Sequence, residues 1–328
     1  MPVDLWTSPA FVEDATAWVA EAAGAHGLHL TGEWEQPHAR PWSSALRFET
    51  DGGRLWFKVN GPGTTYEAAL VSTLATVVPD LVPELLAVDA RRGWALMRDA
   101  GPVLRSLGAP DALWEQWDRV VVEYARAQRR LAEHTGTLLA AGVTEASPAT
   151  LPGLARDLVD RLAALPPDRG GLDADQAARL TALLPEYDAW CAELAESGVP
   201  SSVNHDDLHS ANICWADGAG PRVIDWGDTV VGHPFGTMLA TLNSIAWHAE
   251  IELDDPRVLR VREAYLDVFA DTGTAEQRRH WVTLARRTGC VSRALSYERA
   301  LVGEPAEAEA DLDWPVRGWL LELLEDAD

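Results

Sequence analysis

One short stretch of the chain has the residue types and spacing that metal-assisted phosphate chemistry requires. It reads His205-Asp206-Asp207-Leu208-His209-Ser210-Ala211-Asn212 and is followed by Val223-Ile224-Asp225-Trp226-Gly227-Asp228. Asp207 and Asn212 lie on one loop, so both side chains can point at the same centre. Asp225, at the end of the next hairpin, adds a charged ligand for a hard cation. Magnesium takes carboxylate and carbonyl oxygens and completes its shell with phosphate oxygens. Phosphoryl transfer asks little covalent chemistry of a protein; it needs positioning, charge neutralisation and an acceptor for a hydroxyl proton. His205 and His209 allow a different reading, a metal-dependent hydrolase built with Asp207. Against it, the pair sits in a loop without helical geometry, and no Glu follows the first His as in H-E-x-x-H. His205 is expected to brace the loop by hydrogen bonding.

A second signal comes from composition. Of 27 basic residues only Lys58 is lysine. A site that tolerates arginine would be expected to have drifted with the rest, so Lys58 marks a place where a compact ammonium, rather than a planar fork, is needed.

These segments resemble the aminoglycoside phosphotransferase family, relatives of the protein kinases. The family's H-G-D-x-x-x-x-N stands here as H-D-D-L-H-S-A-N, and its I-D-W-G-D is unchanged at Ile224–Asp228. The resemblance implies Asp207 as catalytic base, Asn212 and Asp225 as magnesium ligands, and ATP with Mg2+ as cofactors. It further implies that Lys58, in LWFKV, contacts the α- and β-phosphates, and that Glu67, in YEAAL, is its partner. Adenine would meet the backbone of Met97, Arg98, Asp99 and Ala100. A G-x-G-x-x-G phosphate loop is absent; Pro41-Trp42-Ser43-Ser44-Ala45 stands in its place, with Ser43 and Ser44 either capping phosphates or lying in a plain hairpin. Two departures stand out. Asp206 replaces the usual Gly, either facing a substrate amine or pointing away. The family's G-D-P-x-x-D is Gly232-His233-Pro234-Phe235-Gly236-Thr237, which implies altered loop anchoring with catalysis intact. The resemblance covers about residues 30–300.

The elements that must position these residues fall into two groups. An opening helix near 9–23 precedes strand patterns with a hairpin at Asp51-Gly52-Gly53, a helix at 66–76, and two strands around Arg91-Arg92-Gly93. Beyond Gly101-Pro102 the pattern turns helical. Asp111 is the expected N-cap of the next helix, and further helices are expected near 150–164, 173–197, 234–250, 256–270, 274–300 and 316–325. Residues 203–228 read as a loop and two short strands joined at Asp217-Gly218, and 303–313 as an exposed acidic loop. The expectation is an α+β, two-lobed protein-kinase-like fold: 1–100 a small antiparallel-sheet, nucleotide-binding lobe, and 101–328 a larger helical lobe with the catalytic loop and substrate site.

The formal charge of −24 argues against a nucleic-acid partner. An acidic surface suits either a cationic substrate or simple solubility. No apolar run is long enough to span a membrane. The three cysteines show no paired spacing, and the chain opens without a secretory pattern, so a cytoplasmic protein is expected. The resemblance implies transfer of the ATP γ-phosphate to a hydroxyl of a small polar acceptor, with or without an amine: an aminoglycoside, an amino sugar or a similar metabolite. A monomer or homodimer is expected. The alternative is a nucleotide-binding pseudokinase, against which the complete set of Lys58, Asp207, Asn212 and Asp225 speaks. Trp226, Trp247 and Trp281 are candidates for stacking on substrate or for core packing.

Overall fold

The computed structural model describes residues 3–216, 218, 220–303 and 313–325. Most of the expected acidic loop at 303–313, and Asp217 of the expected turn, lie outside the described residues. In chain order, helices α1 (Val3–Trp6) and α2 (Pro9–Ala25) precede strands β1 (Leu30–Arg40), β2 (Ser43–Thr50) and β3 (Gly53–Asn60). Helix α3 (Glu67–Val77) and strands β4 (Leu85–Asp89) and β5 (Trp94–Arg98) follow. Then come α4 (Trp114–Leu131), α5 (Thr135–Ala140), β6 (Thr144–Ala146), α6 (Leu151–Ala164), α7 (Ala174–Glu196) and β7 (Ser202–Asn204). The remainder is β8 (Ile213–Ala216), β9 (Gly220–Val223), β10 (Val230–Gly232), α8 (Met238–Ala249), α9 (Pro256–Asp267), α10 (Ala275–Ala300) and α11 (Asp313–Glu325).

Packing divides the chain into two units. The first comprises Met1–Pro102, Cys214–Gly227 and Arg299–Glu309; the second comprises Val103–Ile213, Asp228–Glu298 and Ala310–Asp328. The motif-bearing stretch is thus shared out, with Asp207 and Asn212 in the second unit and Asp225 in the first.

In the first unit a five-stranded antiparallel sheet runs in the order β1-β2-β3-β5-β4. Alternation along β3 does the positioning. Leu55, Phe57 and Val59 are buried in a core with Leu46, Trp94 and Leu96 and with Ala15, Val19 and Ala23 of α2. Side chains alternate across a strand, so Lys58 must take the opposite face. Phe57 and Trp94 meet edge to face at 5.1 Å, which fixes the strand beneath that lysine. Leu70 and Leu74 of α3 are fully buried, as their spacing requires.

In the second unit α4 buries Trp117, Val120, Val121, Tyr124, Gln128 and Leu131, one face at helical spacing. It starts at Trp114 with Leu113 as N-cap; Asp111, the residue expected there, lies instead in a preceding single turn, Pro110–Ala112. Strand β10 pairs parallel to β6 and antiparallel to β7, a small sheet the sequence pattern does not reveal. Gln128 Nε2 donates to the Val203 and Pro234 carbonyls at 2.7 and 2.9 Å, and Tyr265 donates to Gln128 Oε1 at 2.6 Å. That buried network anchors β7, the strand leading into the loop at 205–212.

Helix α10 is buried at every residue from Thr288 to Ala294. A polar side chain in such a stretch must find a partner, because burying it unpaired costs roughly 1–3 kcal/mol by mutational measure. Ser292 and Arg293 are two such residues.

Candidate active site

The first unit carries a charged triad. Lys58 Nζ donates to Glu67 Oε1 at 2.7 Å and to Asp225 Oδ1 at 2.5 Å. β3 supplies the lysine, the first turn of α3 the glutamate, and the chain just beyond β9 the aspartate. Glu67 Oε1 also accepts the Trp226 amide at 2.9 Å, and its Oε2 accepts from Asn60 Nδ2. Tyr66 closes the turn by donating to the Gly227 carbonyl at 2.5 Å. A Cβ on Gly227 would stand 3.2 Å from Glu67 Oε2 and 3.4 Å from Asn60 Nδ2, so glycine is the residue that lets the chain pass. Asp225 has φ of +63°, a left-handed conformation that Asp tolerates better than most residues.

The electrostatics follow from burial and pairing. Burial alone would lower the Lys58 pKa, but Asp225 and Glu67 outweigh it and raise the value, so the ammonium is fixed. Glu67 is shifted up by its burial, with Lys58 opposing. The Asp225 side chain is half exposed, at 51%, whereas Glu67 is 6% exposed. Glu67 therefore holds the lysine, and Asp225 is the carboxylate open to a ligand.

The second unit carries the loop. Asn212 Nδ2 donates to the Asp207 carbonyl at 3.0 Å and to Asp207 Oδ2 at 3.2 Å. Spending its N–H groups this way leaves Oδ1 as the Asn212 atom suited to a cation. His209 Nδ1 accepts the Ala211 amide at 3.2 Å, so the proton lies on Nε2, 3.3 Å from Asp207 Oδ2. The His205 amide donates to Tyr124 Oη at 2.9 Å, a backbone contact that anchors the start of the loop. Among the described residues no group of three or more His, Cys, Asp or Glu is arranged to hold a metal. Asn212 Oδ1 and Asp225 are hard oxygen donors, the type that fits magnesium with phosphate oxygens.

Two residues of α10 that sequence reasoning missed complete the loop's surroundings. Arg293 donates to Asp207 Oδ1 at 2.8 Å and to Asp228 Oδ2 at 2.6 Å. Burial would raise the Asp207 pKa, but Arg293, then His209 and His205, hold it well below the usual carboxylate range. Ser292 Oγ donates to Asp206 Oδ2. Asp206 thus points into α10 and is buried, which decides between its two expected orientations. Its φ of +58° also explains why glycine is usual here. Little in the sequence could have found Arg293: it is one arginine among many, in a helix remote from the loop. Asp228, quoted with its motif but given no role, is its second partner.

The other expected site residues sit as follows. Ser43 and Ser44 belong to β2, beyond a Pro41-Trp42 turn, and are buried. Ser44 Oγ donates to the His38 carbonyl and accepts from Gln36 Nε2, both at 2.9 Å, and Ser43 Oγ lies 3.2 Å from His38 Nε2. Their hydroxyls serve the hairpin, so a phosphate-capping role for them is not supported. Met97 and Arg98 end β5; the amides of Arg98 and Asp99 go to the Glu84 and Arg54 carbonyls at 2.9 and 3.1 Å. Trp226 and Trp281 are core residues, whereas Trp247 is 81% exposed.

Comparison with solved structures finds the same architecture in several enzymes. A macrolide 2'-phosphotransferase type I shares 16% identity over 93% of this chain and 97% of its own, with a TM-score of 0.57. A choline/ethanolamine kinase family protein from Mesorhizobium loti matches at 16% identity over 96% of each chain, TM-score 0.59. An ethanolamine kinase from Plasmodium vivax matches at 11% identity over 98% of this chain and 91% of its own, TM-score 0.60. At these identities the likeness speaks for the fold, which is protein-kinase-like. No curated protein sequence matches significantly. Fold and family model together define a phosphotransferase. The chain belongs to the phosphotransferase enzyme family, whose model matches residues 35–281.

Proposed function

We propose that this enzyme transfers the γ-phosphate of ATP to a hydroxyl of a small polar acceptor, with Asp207 as the base. The observation that carries the reading is the placement of the Asp207 carboxylate, held by Asn212 and Arg293, with the guanidinium favouring its charged form. Such a carboxylate is a weak base, suited to orienting the hydroxyl and taking its proton late, after most of the bond to phosphorus has formed. Lys58, fixed by Glu67, neutralises phosphate charge. Asp225 and Asn212 Oδ1 would hold magnesium, which when bound supplies charge neutralisation at the phosphates. With the Arg98 and Asp99 amides spent in the sheet, adenine recognition falls to the other backbone groups of residues 97–100.

The second unit offers a place for the acceptor. A cavity of about 200 Å³ is lined by Leu113, Trp114, Trp117, Ile245 and His248, and by Ser210 of the catalytic loop. Its mainly apolar wall with a few polar groups suits a ring-bearing molecule more than a bare polycation. The test is transfer of labelled γ-phosphate from ATP to a panel of neutral, apolar-ring and amine-bearing alcohols, with product identified by mass. A phosphorylated alcohol is expected. Zinc-dependent hydrolysis in place of transfer would contradict the reading.

A further inference from the structure

We propose that Arg293 is the positioning residue of this reaction, a buried guanidinium that clamps Asp207 Oδ1 with one nitrogen and Asp228 with the other and so sets the rotation of the Asp207 carboxylate toward the acceptor hydroxyl. The proposal rests on Asp207 being the base. Its geometry is specific. The Arg293 side chain is 9% exposed, against 26% for Asp207 and 27% for Asp228. Both contacts have charge-assisted lengths, and a rigid fork can meet two carboxylates at once where a lysine offers a single point. The fork is itself held. Arg293 Nη1 donates to Ser296 Oγ at 3.2 Å, and its guanidinium carbon lies 4.9 Å from the centre of the Tyr297 ring. α10 is buried all round at this point, so the guanidinium has no room to swing into solvent.

The adjacent pairing argues for positioning rather than simple neutralisation. Consecutive residues of α10 hold consecutive residues of the loop, Ser292 on Asp206 and Arg293 on Asp207. The helix thereby fixes both the backbone turn at Asp206 and the rotation of the next carboxylate. With Oδ1 occupied by the guanidinium, the two oxygens of Asp207 are no longer equivalent. Oδ2 is held in turn by Asn212 Nδ2 at 3.2 Å, with His209 Nε2 at 3.3 Å, so the rotation of the carboxylate is fixed from both oxygens.

The experiment is chemical rescue. Phosphate release from MgATP, with water as acceptor, is measured for the full-length enzyme and for Arg293→Ala, alone and with guanidinium chloride or urea at low, non-denaturing concentration. Arg293→Ala is expected to lose about 10²-fold in kcat, the cost of a misplaced reacting group, with the KM for MgATP unchanged. Guanidinium should restore much of the loss; urea, its uncharged isostere, should not. Equal effects of the two solutes, no rescue in a variant that still melts cooperatively, or an unchanged kcat would overturn the proposal. If Arg293→Ala does not melt cooperatively, Arg293→Gln, of similar length and still a donor, takes its place with the same expectations. Asp207→Asn in the same assay separates the two levels. Its full activity would overturn the base assignment and the proposal together, whereas its loss beside an unaffected Arg293→Ala overturns the proposal alone.

Discussion

Lys58 satisfies two carboxylates at once, Glu67 at 2.7 Å and Asp225 at 2.5 Å, and an ammonium can do so because its donors point in several directions from one small centre. A guanidinium in the same space has its donors confined to a plane and its charge spread over a larger group. Lys58→Arg is therefore expected to lower phosphate transfer by about 10²-fold or more despite conserved charge, in a variant whose melting temperature shows it folded. Transfer at the parent rate would show that any cation serves. Asp206 gives a contrasting expectation. Asp206→Gly relieves the φ of +58° while losing the Ser292 bond, so transfer should stay within the same order of magnitude. Asp206→Val places a β-branched residue at that φ and should cost roughly 1–3 kcal/mol of stability, read from denaturant unfolding. A dead but stable Asp206→Gly would assign Asp206 a chemical role that its burial argues against.

At the scale of elements, His233 shows how a departure from the family pattern is absorbed. It caps the turn Pro234–Thr237, its Nδ1 accepting the Phe235 amide at 3.3 Å as a carboxylate would, while Nε2 lies 3.3 Å from Ser197 Oγ. Accepting at Nδ1 requires the neutral ring, and burial lowers its pKa from 6.5 to about 3. The unfolded chain thus binds the proton more readily between those values. The contribution of His233 to stability is complete above about pH 6.5 and is lost as pH falls toward 3, at up to about 1.4 kcal/mol per pH unit. His233→Asn can still accept the amide but cannot titrate, so its unfolding free energy should fall less steeply between pH 6 and 4, by about one proton in the slope. Parallel curves for the two proteins would refute this. The elements also show what a sequence can and cannot disclose. Strand alternation in LWFKV is enough to put Lys58 opposite a core face, and the loop spacing places Asn212 beside Asp207. The two readings of the Ser43 and Ser44 hydroxyls stay open in the sequence because their partners, His38 and Gln36, depend on the register of β1 against β2. Arg293 escapes notice because its meeting with Asp207 depends on how a helix 86 residues away is rotated against a loop, and local pattern carries no information on that.

At the scale of the whole molecule, the first unit is not the first hundred residues alone. It includes Cys214–Gly227, which brings Asp225 to Lys58 and the Trp226 amide to Glu67. A fragment ending at Pro102 would leave the buried Lys58–Glu67 pair without those partners. Such a fragment is expected to melt without cooperativity and to show no thermal shift with MgATP, whereas the full chain at 100 times Kd should gain about 2.7 kcal/mol. A cooperative, MgATP-stabilised fragment would show that the later segment is dispensable. The charge of −24 belongs to this scale too, and it does not choose among small acceptors. Among the described residues no helix is long and apolar enough to cross a membrane.

The central claim is that Asp207 is the base of a phosphate transfer, and the most direct test compares binding with turnover in Asp207→Asn. MgATP should raise the melting temperature of the variant as much as that of the parent, because Lys58 and Asp225 are untouched. ADP formation with a phosphorylatable alcohol should meanwhile fall by about 10²-fold or more, the weight of a positioned general base. Undiminished ADP formation in Asp207→Asn, with MgATP binding intact, would contradict the account.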